Sequence, residues 1–200
     1  MKMSRVRVTV LLILLALLVS ACQTSSTYIS GGSGLEFGTE NFSMNVNYLT
    51  EPELNRRFSG KYNPFIAPQL MLTPKDFLVF EFDVIRSETA YQVLLSRARI
   101  EFGGSVDEPD TSFQFRSFWN GVSWVEDMRS VDKRRFFNLI DTYVEGDDFN
   151  TGNKTIGFMV FRGSFPEYGE ATLTIPVRDT ATDERYNLSQ TWEFSAAYYE

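Results

Sequence analysis

The stretch "DFLVFEFDVIRS", residues 76–87, is the clearest strand in the sequence and decides the fold class. Successive side chains of a β-strand point to opposite faces, so a hydrophobic pattern with a period of two indicates a half-buried strand. One face of this stretch is wholly apolar and the other is mixed: Leu78, Phe80, Phe82 and Val84 against Val79, Glu81, Asp83 and Ile85. We therefore expect this strand to line a hydrophobic core.

Similar alternation recurs along most of the chain, in residues 42–48, 90–102, 154–163, 169–179 and 188–199. The "RSETA" segment, residues 86–90, is short enough to join two of these strands as a hairpin. Asn120-Gly121, between "SFW" and "VSW", is typical of a two-residue type I′ turn and predicts another hairpin.

Two segments have helical signals instead. Thr50 and Glu53 have the spacing of a capping box, which predicts a short helical turn ending near Gly60. Apolar residues recur with helical spacing after Ser130, a good N-cap residue, and predict one inserted helix over residues 131–144.

Roughly eight strands separated by turn residues, with one inserted helix, predict a mainly β fold. The expected architecture is an antiparallel β-sandwich of immunoglobulin-like or jelly-roll-like type. A lipocalin-like closed β-barrel is the alternative, because eight alternating strands also suit closure around a ligand.

The amino terminus has the three parts of a secretory signal peptide. Lys2, Arg5 and Arg7 are positive, residues 8–19 are almost purely apolar, and two small residues follow. The apolar run is shorter than the roughly 20 residues that a membrane-spanning helix needs. We expect residues 1–21 to be removed, which lowers the formal charge of the chain from −7 to −10 because three positive residues are lost.

Val19-Ser20-Ala21-Cys22 resembles the lipobox of bacterial lipoproteins, in which an aliphatic residue and two small residues precede a cysteine. The resemblance implies cleavage before Cys22, attachment of diacylglycerol to its thiol and acylation (for example with palmitate) of the new amino terminus. Residue 23 is Gln rather than the Asp that commonly retains lipoproteins in the inner membrane, so the resemblance implies the outer membrane, facing the periplasm or the exterior. Several acyl chains together give stable membrane anchoring.

The mature chain divides into two parts. Residues 22–38 are rich in Ser, Thr and Gly and predict a flexible tether after the lipidated cysteine. Residues 39–200 predict a single β-sandwich domain. The chain contains one cysteine, so a disulfide within it is excluded.

The composition excludes several chemistries. The sequence contains no histidine, which rules out Ser-His-Asp and Cys-His catalytic sets and the histidine-bearing zinc and copper sites. The acidic balance disfavours nucleic-acid binding. Carboxylates are grouped at residues 107–110 and 145–148, but acid clusters of an acidic protein are typically solvated surface. We expect no enzymatic activity and no cofactor.

Two groups remain as candidate binding residues. Trp119 and Trp124 flank the Asn120-Gly121 turn and could stack on a sugar ring, although tryptophans more often anchor a hairpin to the core. Asp147, Asp148 and Asn150 lie in "DDFNTGN", which partly resembles a calcium-binding loop, although such a segment is more often a solvated turn. The expected function is a lipid-anchored, non-enzymatic cell-envelope protein with a binding or structural domain; the alternative is a carrier or binding module for an apolar ligand or a carbohydrate. The membrane is the expected partner, together with a protein or glycan whose identity the sequence leaves open.

Overall fold

Residues 76–87 form a strand in the interior of the smaller of two antiparallel sheets. The computed structural model describes residues 27–30, 35–39, 42–58, 62–66, 76–87, 90–151, 156–166 and 168–197. The strands in chain order are β1 (Thr27–Ser30), β2 (Leu35–Thr39), β3 (Phe42–Tyr48), β4 (Asp76–Ser87), β5 (Tyr91–Val93), β6 (Arg99–Phe102), β7 (Ser105–Asp107), β8 (Phe149–Asn150), β9 (Ile156–Gly163), β10 (Tyr168–Asp179) and β11 (Arg185–Ala197). The helices are α1 (Glu51–Arg57), α2 (Ser112–Asn120), α3 (Ser123–Glu126) and α4 (Ser130–Tyr143), with a 3₁₀ turn at Leu95–Arg97.

The two sheets are antiparallel and pack as a sandwich. The smaller sheet has the order β2-β3-β4-β9, and the larger has the order β1-β11-β10-β5-β8. Strand β6 also pairs with β10, nearer the beginning of β10 than β5, and β7 pairs with β6. The sheets do not close on each other in the part of the chain that is described, so the fold is a mainly β sandwich and the closed-barrel alternative is wrong.

Aromatic rings fill the space between the sheets. The ring centroids of Phe80 on β4 and Trp192 on β11 are 5.3 Å apart, and those of Tyr48 and Phe194 are 4.9 Å apart. Phe82 stacks on Phe149 of β8 at 5.4 Å. Each such pair stabilises the sandwich by about 0.5–1.5 kcal/mol beyond the burial of apolar area. The sheets are therefore in direct side-chain contact.

A second core lies on the other face of the smaller sheet. Val79 of β4 and Phe158 and Val160 of β9 point away from the sandwich and are buried against the helices. Helices α2 and α4 contribute Phe115, Trp119, Phe136, Phe137 and Ile140 to this core. The molecule therefore has three layers: the larger sheet, the smaller sheet and the helices.

The helical content exceeds the single helix that the sequence predicts. Helix α4 begins at Ser130 and ends at Tyr143, one residue before each predicted bound, and α1 confirms the predicted helical turn, with the Thr50 N–H donating to the Glu53 carboxylate at 2.8 Å. The predicted hairpin at Asn120-Gly121 is wrong, because residues 112–120 form α2 and Gly121 ends it. No helix among the described residues is long and apolar enough to span a membrane.

The Thr111 capping box explains why a helix replaces the hairpin. The Thr111 hydroxyl accepts from the Gln114 N–H at 3.2 Å, and the Gln114 side-chain oxygen accepts from the Thr111 N–H at 2.8 Å. This reciprocal pair satisfies two backbone donors at the start of a helix. The amphipathic face that follows packs onto β4 and β9, which outweighs the turn preference of Asn-Gly.

Two strand predictions differ in their pairing. Strands β4 and β5 belong to different sheets, so the predicted hairpin between them is wrong. The predicted strand over residues 90–102 is broken by the 3₁₀ turn, with β5 and β6 on either side. The turn shifts the alternation, because Tyr91 and Val93 are buried before it and Ala98 and Ile100 are buried after it.

The predicted tether is shorter than 22–38. Residues 27–30 pair with the end of β11, and residues 35–39 pair with β3. The backbone partners that these sheet edges offer override a Ser- and Gly-rich composition, so the prediction of a tether is wrong for these two stretches. Cys22 and the residues up to 26 lie outside the described part of the chain.

Truncation of Phe80 should test how far the sandwich depends on its filled core. Phe80 is fully buried between the sheets, so we expect Phe80→Ala to lower the free energy of unfolding by about 3–5 kcal/mol. Phe113→Ala is the matched control, because Phe113 on α2 is 76% exposed and its loss should change stability by no more than about 0.5 kcal/mol. Urea unfolding of both variants measures the difference, and equal losses would contradict a core centred on β4.

Candidate functional site

The two candidate tryptophans lie close together, but inside the helical layer. Their ring centroids are 5.5 Å apart in an edge-to-face arrangement. Trp119 is 0% exposed, and its indole N–H donates to the carbonyl oxygen of Pro64 at 3.0 Å. Trp124 is half-buried and stacks on Tyr62 at 5.7 Å. Trp119 therefore anchors α2 to the loop at Pro64 and does not present a face to a sugar ring.

The candidate calcium residues lie at the end of the larger sheet. Asn150 is in β8 and pairs with Gln92 of β5, while Asp147 and Asp148 precede that strand. One carboxylate oxygen of Asp148 accepts from the Ser96 N–H at 3.0 Å. Residues 152–153 of the predicted loop lie outside the described residues, and no cluster of three potential metal-ligating side chains occurs among the residues that are described.

Several of the remaining acids are held by arginines. Asp110 accepts two hydrogen bonds from Arg162, at 2.7 and 3.0 Å, and the Arg162 guanidinium also lies 4.8 Å from the ring centroid of Phe118. Glu81 pairs with Arg57, and this hydrogen bond raises the pKa of Arg57 above its ordinary value. These pairs join β9 to the segment before α2, and β4 to α1. Their arrangement is that of structural ion pairs.

Within the described part of the chain, a groove on the outer face of the larger sheet is a polar feature suited to binding. Its volume is about 330 Å³, and it is lined by Leu94, Arg97, Arg99, Thr174, Pro176, Arg185 and Asn187. Thr174 and Pro176 alternate along β10 with the fully buried Leu173 and Ile175, so they face away from the sandwich core. We call this feature the arginine groove.

The sheet register assembles the arginine groove from distant parts of the chain. Arg99 of β6 is opposite Thr174, and Asn187 of β11 is opposite Pro176. Arg97 comes from the 3₁₀ turn and Arg185 from the first residue of β11. Strand β10 is therefore the floor, with β6 and the turn on one side and β11 on the other.

Sequence reasoning missed these arginines for a definable reason. Arg97 and Arg99 have a spacing of two, which suggests one face of a strand, but such a pair is common on exposed strands. Arg185 is far from them in the sequence, and only the pairing of both β6 and β11 with β10 brings it near. Long-range register is the information that the sequence pattern does not supply.

Comparison with known proteins adds little to the description of this groove. No protein-family model matches the chain, and no curated protein matches it. A crystal structure of a DUF4426 family protein from Pseudomonas aeruginosa PAO1 is similar over 83% of this chain and 98% of its own, with 8% sequence identity and a TM-score of 0.38. A TM-score this low does not establish a common fold and carries no argument about function.

The two tryptophans should differ in their effect on stability. Trp119→Ala removes a fully buried ring and leaves the Pro64 carbonyl without its donor, so we expect a loss of about 3–5 kcal/mol in the free energy of unfolding. Trp124→Ala serves as the control and should cost less, because that ring is half-buried. Urea unfolding followed by circular dichroism measures both, and an unchanged stability of Trp119→Ala would show that the ring is not an anchor.

Proposed function

We propose that the chain is a lipid-anchored, non-enzymatic cell-envelope protein whose β-sandwich is a binding or structural module. The anchor is inferred from Val19-Ser20-Ala21-Cys22, which ends an apolar segment that follows positively charged residues. The thiol of Cys22 is the attachment point, and several acyl chains hold the protein stably at the membrane.

The core geometry supports a module that acts through its surface. Rings from both sheets are in contact, as in the pairs Phe80–Trp192 and Phe42–Tyr91 at 5.3 and 5.1 Å. A carrier for an apolar molecule requires a chamber in this position, so these contacts argue against the carrier alternative. The ion pairs Asp110–Arg162 and Glu81–Arg57 support a non-enzymatic role, because they occupy carboxylates that acid–base catalysis would otherwise use.

Replacing the cysteine tests the anchor. We expect Cys22→Ser to abolish incorporation of labelled palmitate and to leave an uncut precursor, because the serine hydroxyl does not replace the thiol that accepts the lipid. Ser26→Ala, a substitution four residues downstream, is the control and should be processed and labelled normally. Metabolic labelling and the mobility of the protein on gels report both steps. Normal labelling of Cys22→Ser would refute lipidation at this residue.

Residue 23 tests the choice of membrane. If the chain comes from a cell with two membranes, we expect Gln23→Asp to move the protein from the outer to the inner membrane, since Asp at this place is the common retention signal in lipoproteins. Ser26→Asp adds the same charge three residues later and should leave the protein in the outer membrane. Density-gradient separation of the two membranes measures the distribution, and identical distributions for the wild type and Gln23→Asp would overturn the assignment.

A further inference from the structure

We propose that the arginine groove binds a phosphate group, carried either by a soluble phosphate ester or by a lipid headgroup. This inference rests on the proposed binding role of the sandwich and names the chemistry that it recognises. Three arginines, a threonine and an asparagine line one depression: Arg97, Arg99, Arg185, Thr174 and Asn187.

The groove lies where two different strands, β5 and β6, pair with successive parts of β10. Strand β5 pairs with residues 177–179 of β10, and β6 pairs with residues 171–174. The 3₁₀ turn spans the interval, and the Leu94 N–H preceding it donates to the Pro176 carbonyl at 2.9 Å. Fully buried Leu95 fastens the turn to the sandwich core. The turn therefore holds Arg97 beside this interval while the floor of β10 is left uncovered.

The positive charge of the groove is poorly neutralised by the protein itself. Among the described residues, the Arg97 and Arg185 guanidinium groups form no ion pair, and Arg99 approaches Glu101 only to 3.7 Å. The neighbouring acid Glu184 accepts a 2.6 Å hydrogen bond from the Tyr186 hydroxyl, which raises the pKa of Tyr186 to about 12. The Glu184 carboxylate is thus engaged on the other side of the strand from Arg185.

A second ion pair engages another acid near the groove. Asp183, which precedes β11, is bound by Arg178 rather than by the groove arginines. The seven residues that line the groove include three cations and no acid. In a chain with a formal charge of −7, this local excess of positive charge favours an anion.

The donor set fits phosphate better than a single carboxylate. The planar guanidinium fork presents paired N–H groups that match two oxygens of a phosphate, and three such groups can share the three or four oxygens of a phosphate group. Thr174 is 8% exposed at the floor, and its hydroxyl exchanges a 2.9 Å hydrogen bond with the Ser189 hydroxyl. That bond fixes the Thr174 side chain, while the Asn187 amide supplies another donor on the β11 side.

The test measures binding to the full chain purified in a neutral, non-ionic detergent at low salt. Inorganic phosphate is titrated in one arm, and short-chain phosphatidic acid with six-carbon acyl chains in the other, by isothermal titration calorimetry. We expect saturable binding that weakens as the ionic strength rises, because exposed charges are screened by salt.

The decisive variant is the double substitution Arg97→Gln and Arg185→Gln, which should weaken binding at least about tenfold. The matched control is Arg134→Gln with Arg135→Gln, which removes the same charge from exposed positions of α4 and should leave the affinity within about twofold. Arg97→Lys with Arg185→Lys keeps the charge without the fork and should give an intermediate loss. It also keeps the test usable if the glutamine variant does not fold.

Each outcome decides a different point. Groove-dependent binding of both probes supports recognition of the phosphate group itself, and groove-dependent binding of phosphatidic acid alone assigns it to a lipid headgroup. Absence of binding by the wild-type chain, or equal weakening by the groove and control variants, overturns the proposal. Lipidation of Cys22 is measured separately by palmitate labelling. A negative result for phosphate binding therefore does not affect the result for lipidation, and the reverse also holds.

Discussion

The pairing of β4 with β9 is the interaction on which the rest of the structure depends, because this pair of strands carries buried apolar side chains on both faces. Phe80 and Phe161 point into the sandwich, whereas Val79 and Val160 point to the helices. A sheet that is apolar on both sides must be covered on both sides. The larger sheet covers one face and the helices cover the other. The helical segment docks by backbone bonds as well, since the Asp110 N–H donates to the Val160 carbonyl and the Glu145 N–H donates to the Phe158 carbonyl, both at 2.8 Å.

The strands could largely be predicted from the sequence, and the helical layer only in part. Strand β4 has the bounds that its alternation predicts, and β3, β9, β10 and β11 lie where period-two patterns occur. The prediction at Asn120-Gly121 is wrong because a two-residue turn signal is local. The burial of Val79 and Val160 by the helices depends on residues that are distant in the sequence. The Thr111 and Gln114 capping box was the local signal that would have indicated a helix.

Pairing partners and the candidate site depend on information that alternation does not carry. A period of two identifies a strand and its faces, but it does not say to which sheet the strand belongs. That is why β4 and β5 were expected to form a hairpin although they lie in opposite sheets. The same limit hid the arginine groove, in which Arg99 and Arg185 meet only because their strands flank β10 on opposite sides.

The position of the proposed anchor bears on which phosphate the groove would meet. Thr27 lies five residues after Cys22, so a lipid on Cys22, as proposed, would be within about 18 Å of it along an extended chain. Thr27 pairs with Ala197 at one end of β11, and Arg185 is at the other end, about 40 Å away at roughly 3.3 Å per residue. A sandwich that stands on its anchored end therefore holds the groove beyond the headgroups of its own membrane. Only a sandwich lying on its larger sheet brings the groove to that surface, so a lipid headgroup as the ligand requires this orientation, whereas a soluble phosphate ester does not.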